Sequence, residues 1–208
     1  MILTNFEQYI TKVKGAIHVG ANIGEERHWY NNQGFKNVIW FEPNKDLYPT
    51  LLENIKQYSE QMAFNIGIHD WMKKGNLHIS NNAGQSSSLL ELGVHVQYHP
   101  EVYYIGEQQV DLARLDDFIT ATGIDIKDFN FLNVDVQGTE LNVLKSMGNL
   151  LGTMDYLYLE VNDEELYKGC ALLPAIDSYV EQFSFIRLKT KITKAHWGDA
   201  FYIKEATL

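Results

Sequence analysis

Apolar and polar positions along this chain fall into blocks that predict strands and helices taking turns. Ala16, Ile17, His18 and Val19 form a strand-like run that breaks into the small-residue turn Gly20, Ala21, Asn22, Ile23, Gly24. An amphipathic stretch follows from Glu25 to Asn32 and closes at Gly34. The second strand, Asn37 to Phe41, ends at Glu42 and Pro43. Leu47, Leu51, Leu52 and Ile55 then mark one face of a helix that begins near Asn44. Ahead of all these, Phe6, Tyr9, Ile10 and Val13 recur at helical spacing and predict a first helix on the sheet edge.

Met62 to Ile68 reads as the third strand, and Lys73 to Asn76 as a turn into a short strand, Leu77 to Ser80. From Asn81 to Gln109 the alternation lapses. It resumes with a strand over 109–115 and a helix whose first residues include Asp116 and Asp117, carboxylates at its positive end. Phe129 to Val136 is nearly continuous in apolar residues, the mark of a strand buried on both faces. A helix from Thr139 to Met147, a strand from Tyr156 to Val161 and a helix from Leu172 to Gln182 come next. Phe185 to Thr190 and Ala200 to Lys204 suggest a final antiparallel pair. No repeat or linker divides the chain, so the expectation is one α/β domain over 1–208. Its architecture is helix, sheet, helix, with a mostly parallel sheet and an antiparallel last strand.

The turn at Gly20 to Gly24 carries the first chemical hint. Gly20, Ala21 and Gly24 leave room for backbone to approach a nucleotide, and the following helix turns its amides toward an anionic group. Tight strand-to-helix turns also need glycine for structural reasons alone, so both readings stay open here. Glu42 adds to the picture, because an acidic residue roughly 20 positions further on, at the end of the second strand, is placed to accept from ribose hydroxyls. Asn22 and Pro43 adjoin these contacts. After the third strand, Ile68 and Asp70 fall where an adenine would lie; Asp70 either accepts from its amino group or is a turn residue beside Trp71. The turn has two glycines and lacks a third, which favours S-adenosylmethionine (SAM) over NAD.

Asn133 and Asp135 interrupt the buried strand near its end, and polar groups there are costly unless paired or serving a ligand. The reaction centre is therefore expected at that point, with Asp135, Glu160 and His196 as candidate general bases and Asp135 also as a candidate for holding the cofactor's amino group. Long irregular segments in compact domains are usually functional. The hydroxyl-rich and aromatic stretch 81–109 is read as an acceptor lid, with Gln85, Ser88 and Tyr98 as glycan contacts; packing over the sheet edge or a dimer contact is the alternative. A divalent metal on Asp135, Glu160 and Asp199 is conceivable from the donor types and is not favoured, so no metal ligands are assigned.

The residues His18 to Gly24, Phe41-Glu42-Pro43, Leu115 to Phe118, the block Asn133 to Leu141 containing Asp135-Val136-Gln137-Gly138-Thr139-Glu140-Leu141, then Leu159 to Val161 and Gly198 to Tyr202, together resemble the FkbM-type SAM-dependent methyltransferases. The resemblance runs in order through most of the chain. It implies a Rossmann-like class I methyltransferase fold, SAM as cofactor with S-adenosylhomocysteine as product, and O-methylation of a hydroxyl, most plausibly on a sugar or glycan. His18 departs from the family, which usually has Asp there. An N-methyltransferase is the first alternative, opposed by the lack of an Asn/Asp-Pro-Pro-aromatic loop. A catalytically inactive nucleotide-binding or scaffolding module is the second.

The 208 residues, 45% of them hydrophobic, suffice for one well-packed core. A formal net charge of −10 argues against nucleic acid as a partner, since that affinity needs clustered Lys and Arg. Cys170 is the single cysteine, which excludes an intramolecular disulfide and fits a reducing compartment. Neither a signal peptide nor a membrane-length apolar stretch is visible, so a cytoplasmic protein is expected; whether it works alone, as a homodimer or as part of a larger glycan-modifying protein stays open.

Overall fold

The computed structural model describes residues 1–208. Five segments make the parallel part of the main sheet: β1 (Gly15–Val19), β2 (Val38–Phe41), the edge strand β3 (Gln61–Phe64), β7 (Phe129–Val134) and β8 (Tyr156–Asn162). Every residue of β1, β2, β7 and β8 is buried, as continuous apolar runs require in a sheet covered on both faces. With β9 (Phe185–Ile192) and β10 (Trp197–Lys204) they form seven strands in the order β3-β2-β1-β7-β8-β10-β9. All neighbours are parallel except β10, which runs antiparallel to both β8 and β9.

Helices cover both faces. The helices α1 (Arg27–Gln33) and α2 (Tyr48–Ile55) bury Tyr30, Leu51 and Ile55 against Trp40 and Phe131 on one side. On the other side α4 (Leu115–Thr122), α5 (Glu140–Ser146) and α6 (Leu173–Glu181) bury Ile119, Leu144 and Ile176 against Ile17, Leu132 and Leu157. The three-layer α/β architecture read from the sequence is the one observed.

Two elements differ from the sequence expectation. Phe6, Tyr9, Ile10 and Val13 do not share an α-helix; residues Glu7–Tyr9 make one 3-10 turn. Backbone donors that a helix would use internally are taken by the sheet instead. The Tyr156 hydroxyl accepts from Thr11 and Lys12, and the Asn130 side chain accepts from Lys14. The expected third strand, Met62 to Ile68, splits at Asn65, whose side chain donates to the carbonyls of Glu42 and Pro43. Only β3 joins the main sheet. Beyond the break, β4 (Gly67–Ile68) enters a second sheet of order β4-β6-β5, built with β5 (Lys73–Ser80) and β6 (Tyr104–Ala113). The irregular segment is therefore shorter than 81–109: β5 and β6 form a long antiparallel hairpin whose connection holds the one-turn helix α3 (His95–Tyr98).

Candidate active site

A cavity of about 620 Å³ opens at the carboxyl ends of β1, β2, β7 and β8, where open α/β sheets place their ligands. Gly20, Ala21, Asn22, Glu42, Pro43 and Ile68 line one part of it; Asp135, Val136, Gln137, Thr139 and Glu160 line another. Gln85 reaches it from the β5–β6 connection.

Gly20 is required by contact. Its φ is +87°, and a Cβ there would lie 1.7 Å from the carbonyl oxygen of Asp135. The turn after β1 and the strand end after β7 are thus packed backbone to backbone. Gly24 has φ +73° and faces Leu51 of α2; it shapes the turn and does not line the cavity. The amides of Gly20 and Ala21 donate to the Phe41 carbonyl and that of Asn22 to Glu42, so these three are not available to an anion.

Glu42 is 6% exposed and lines the cavity. Its Oε2 accepts from the Asn22 amide and its Oε1 from the Asn44 amide, both at 2.7 Å. Burial pushes its carboxyl up to about 7, against the lowering effect of the two amides. A carboxylate has about four acceptor positions, so two remain for a ligand's hydroxyls after the two amides are satisfied.

The second carboxyl group centres on Gln137. Its side-chain amide donates to Asp135 Oδ1 at 2.6 Å and to Glu160 Oε2, while its Oε1 accepts from the Tyr167 hydroxyl at 2.5 Å. Gln137 holds a left-handed φ of 57° and Gly138 one of 109°, a sharp turn stabilised from below by Glu140. Glu140 is fully buried; its Oε1 accepts from the Val136 amide at 3.2 Å and the Gly138 amide at 3.0 Å, and burial raises its carboxyl to about 7. Glu160 is held well above the usual carboxylate range, by burial first and then by the charge of Asp135 and a hydrogen bond with it. Asp199, opposite Glu160 on β10, accepts from the Tyr158 hydroxyl and is also raised by burial.

His18 lies beneath the turn. It is buried, stacked on Trp40 with ring centroids 4.9 Å apart, and its Nδ1 is 3.1 Å from the Tyr30 hydroxyl. Burial lowers its pKa, so the ring sits neutral in the bed of the cavity. Asn133, read from sequence as part of the reaction centre, donates to the Tyr30 hydroxyl at 3.0 Å and belongs to the same buried network.

Besides Gly24, four candidates stand outside the cavity lining. Asp70 Oδ1 is 2.7 Å from His69 Nδ1, in the bend between β4 and β5 of the small sheet. Ser88 is buried and donates to the Gln137 carbonyl at 2.6 Å, tying the β5–β6 connection to the turn. Tyr98 donates to Glu164 at 2.8 Å. His196 Nδ1 is 2.8 Å from Asp163 Oδ1 and its ring packs against Tyr98, at the outer end of β10. Gln137 and Tyr167 were not singled out from sequence. Gln137 sits in the Asp-Val-Gln-Gly block after a buried strand, a visible signal; for Tyr167 the sequence holds none. No group of three or more His, Cys, Asp or Glu side chains converges as a shell for a metal ion.

The sheet order and this cavity define a Rossmann-like α/β fold of the methyltransferase type. It is shared with a putative tRNA (m1A22) methyltransferase of Streptococcus pneumoniae solved with SAM, at TM-score 0.54 and 10% identity over 95% of this chain and 69% of that one. Magnesium protoporphyrin IX methyltransferase from Synechocystis, with bound SAM, gives TM-score 0.51 and 8% identity over 92% of this chain and 70% of that one. Residues 18–187 match the Methyltransferase FkbM domain, and the chain belongs to that family of SAM-dependent methyltransferases. It is 26% identical over 177 residues to the 2-O-methyltransferase NoeI of Sinorhizobium fredii, covering 82% of this chain and 72% of that protein. It is also 26% identical over 185 residues to the hexuronic acid methyltransferase AglP of Haloferax volcanii, covering 89% of this chain and 67% of that protein.

The cavity suits the cofactor. Glu42 is an almost fully buried carboxyl with acceptor positions to spare, and carboxyl groups line the walls where a sulfonium cation would sit. No helix is long and apolar enough to cross a membrane.

Proposed function

We propose that this protein transfers the methyl group of SAM to a hydroxyl of a sugar or glycan. The observation that carries the reading is the pair Asp135 and Glu160, joined through Gln137 and opening on the same cavity as Glu42 and the Gly20 turn. Both named relatives fit it, one being a 2-O-methyltransferase and the other a hexuronic acid methyltransferase.

SAM supplies an electrophilic methyl group on a sulfonium. Glu42 would hold the ribose hydroxyls, with Gly20, Ala21 and Asn22 beside the nucleoside and Pro43 and Ile68 as an apolar wall for the adenine. Holding donor and acceptor in line is the larger part of catalysis here, worth roughly 7–11 kcal/mol of effective concentration. A sugar hydroxyl must also lose its proton. Asp135 and Glu160 form the receiving pair, and a positioned base adds roughly 10²–10⁴-fold. Burial, and then the charge of Asp135, hold a proton on Glu160 above the usual carboxylate range, so Glu160 becomes a competent acceptor as pH rises. Gln85, on the cavity side of the β5–β6 connection, contacts the acceptor.

The test is incubation with methyl-labelled SAM and a panel of simple glycosides, with products read by NMR. A labelled O-methyl group on a ring hydroxyl is the expected product. Label appearing only on amines, or none transferred to any glycoside, would contradict the reading.

A further inference from the structure

Beyond the residues proposed to meet the cofactor, the same cavity is lined by Leu77, Gln85, His95, His99, Glu101 and Val102. His95 is 5% exposed, and its Nδ1 is buried with no hydrogen-bond partner. Its ring lies 5.6 Å from the Tyr167 ring, and Tyr167 donates to Gln137, the residue that joins Asp135 and Glu160. His95 is thus linked through Tyr167 and Gln137 to the proton-accepting pair. His99, with ring centroid 5.1 Å from that of His95, faces Glu101 at 3.4 Å. Burial, and then the neighbouring His99, lower the His95 pKa, so its imidazole offers hydrogen bonds and carries no charge near neutral pH.

The charge of the walls narrows what can enter. No lysine or arginine side chain lines the cavity, whereas Glu25, Glu26, Glu42, Glu101, Asp135, Glu160 and Asp199 all do. The Met1 amino group, at the rim, is 3.9 Å from Glu26. An anionic acceptor would find no basic side chain to pair with, in a cavity where burial already holds the carboxyls of Glu42, Glu160 and Asp199 above their usual range and so disfavours further negative charge, the arrangement by which interfaces reject wrong partners. A neutral sugar meets hydrogen-bonding groups and no such conflict.

We infer that the acceptor unit is an uncharged sugar, hydrogen-bonded by His95 at this wall of the cavity, and that the site rejects hexuronates. The inference rests on the proposed sugar O-methylation and sets this chain apart from the relative named for hexuronic acid.

The experiment measures kcat/KM near neutral pH with matched acceptors: methyl glucoside, methyl glucuronoside and the glucuronoside methyl ester, and the corresponding galactose series. The neutral glycoside should exceed its uronate by at least about tenfold, and the ester should recover most of the difference. Glu101→Gln should narrow the ratio. His95→Ala should lower kcat/KM for the neutral acceptor at least about tenfold, with S-adenosylhomocysteine affinity by calorimetry unchanged; that affinity also reports folding of the variant, and His95→Gln repeats the test if the alanine variant is unfolded. Uronates used as well as neutral sugars, or an ester rejected as strongly as its acid, would overturn the inference and leave sugar methylation standing. Transfer to none of these acceptors would overturn both.

Discussion

Glu42 accepts the backbone amide of Asn22 at 2.7 Å, across 20 residues of chain. The carboxylate at the end of β2 and the turn after β1 are one unit, and the cavity takes its shape from their contact. A change at either residue is felt at both.

Glu42→Ala should therefore weaken S-adenosylhomocysteine binding by two routes, loss of the ribose acceptor and loosening of the Asn22 turn. Hydrogen bonds to a charged group are worth roughly 1.5–3 kcal/mol each, so a fall in affinity of about a hundredfold is expected in calorimetric titration. Unchanged affinity would remove Glu42 from the site.

Gln137 donates to both Asp135 and Glu160, and such donation favours the ionised carboxylates. Methyl transfer by the wild type should rise with pH as the pair loses its held proton. In Gln137→Ala the pair is deprived of that donation, so its ionisation moves upward; the rise in kcat should shift to higher pH and the plateau should drop at least tenfold. A pH profile that keeps its wild-type position would show that Gln137 is structural only.

Glu42 and Glu140 are each raised to about 7 in the folded protein, from 4.5, by burial first. The native state then holds protons that the unfolded chain has released, so stability is greatest below about pH 4.5 for these two groups and is lost as pH rises through about 7. Each contributes up to about 3 kcal/mol. Relative to Glu140→Gln, whose side chain does not titrate, the ligand-free wild type should lose melting temperature between about pH 5 and 7.5, a comparison that cancels the opposite effect of the buried His18 and His95; a difference that stays flat would contradict the raised carboxyl.

His196→Ala should leave kcat within about threefold of wild type, because its ring faces Asp163 and Tyr98 and lies outside the cavity lining. A loss of a hundredfold or more, the usual cost of removing a general base, would place it back in the reaction.

The parts of the site legible in the sequence are those fixed by backbone requirements. Gly20 is needed because no side chain fits against Asp135, and Glu42 is a carboxylate at the end of a buried strand, where its burial must serve something. What could not be read depends on pairings far apart in sequence. The sequence leaves Asp70 open between an adenine contact and a turn residue because strand three reads as continuous through Ile68, whereas the chain breaks at Asn65, which bonds to the Glu42 and Pro43 carbonyls, and enters another sheet. Tyr98 and Ser88 suited a glycan by residue type, but Glu164 and the Gln137 carbonyl take their hydroxyls. The apolar spacing at Phe6 to Val13 is helical in period, while the donors of Thr11 and Lys12 go to Tyr156, which no local pattern reveals. His95 and Tyr167 meet only because the β5–β6 connection folds over the strand ends.

The central claim is that the Gly20 turn, Glu42 and the Asp135 strand end form a single SAM site. Calorimetric titration of the purified chain with S-adenosylhomocysteine, with and without EDTA, tests it most directly. The account predicts one site per chain, micromolar affinity, no change with EDTA, and loss of the signal in Glu42→Ala. Absence of binding by the folded wild-type chain, or binding that survives Glu42→Ala undiminished, would contradict it.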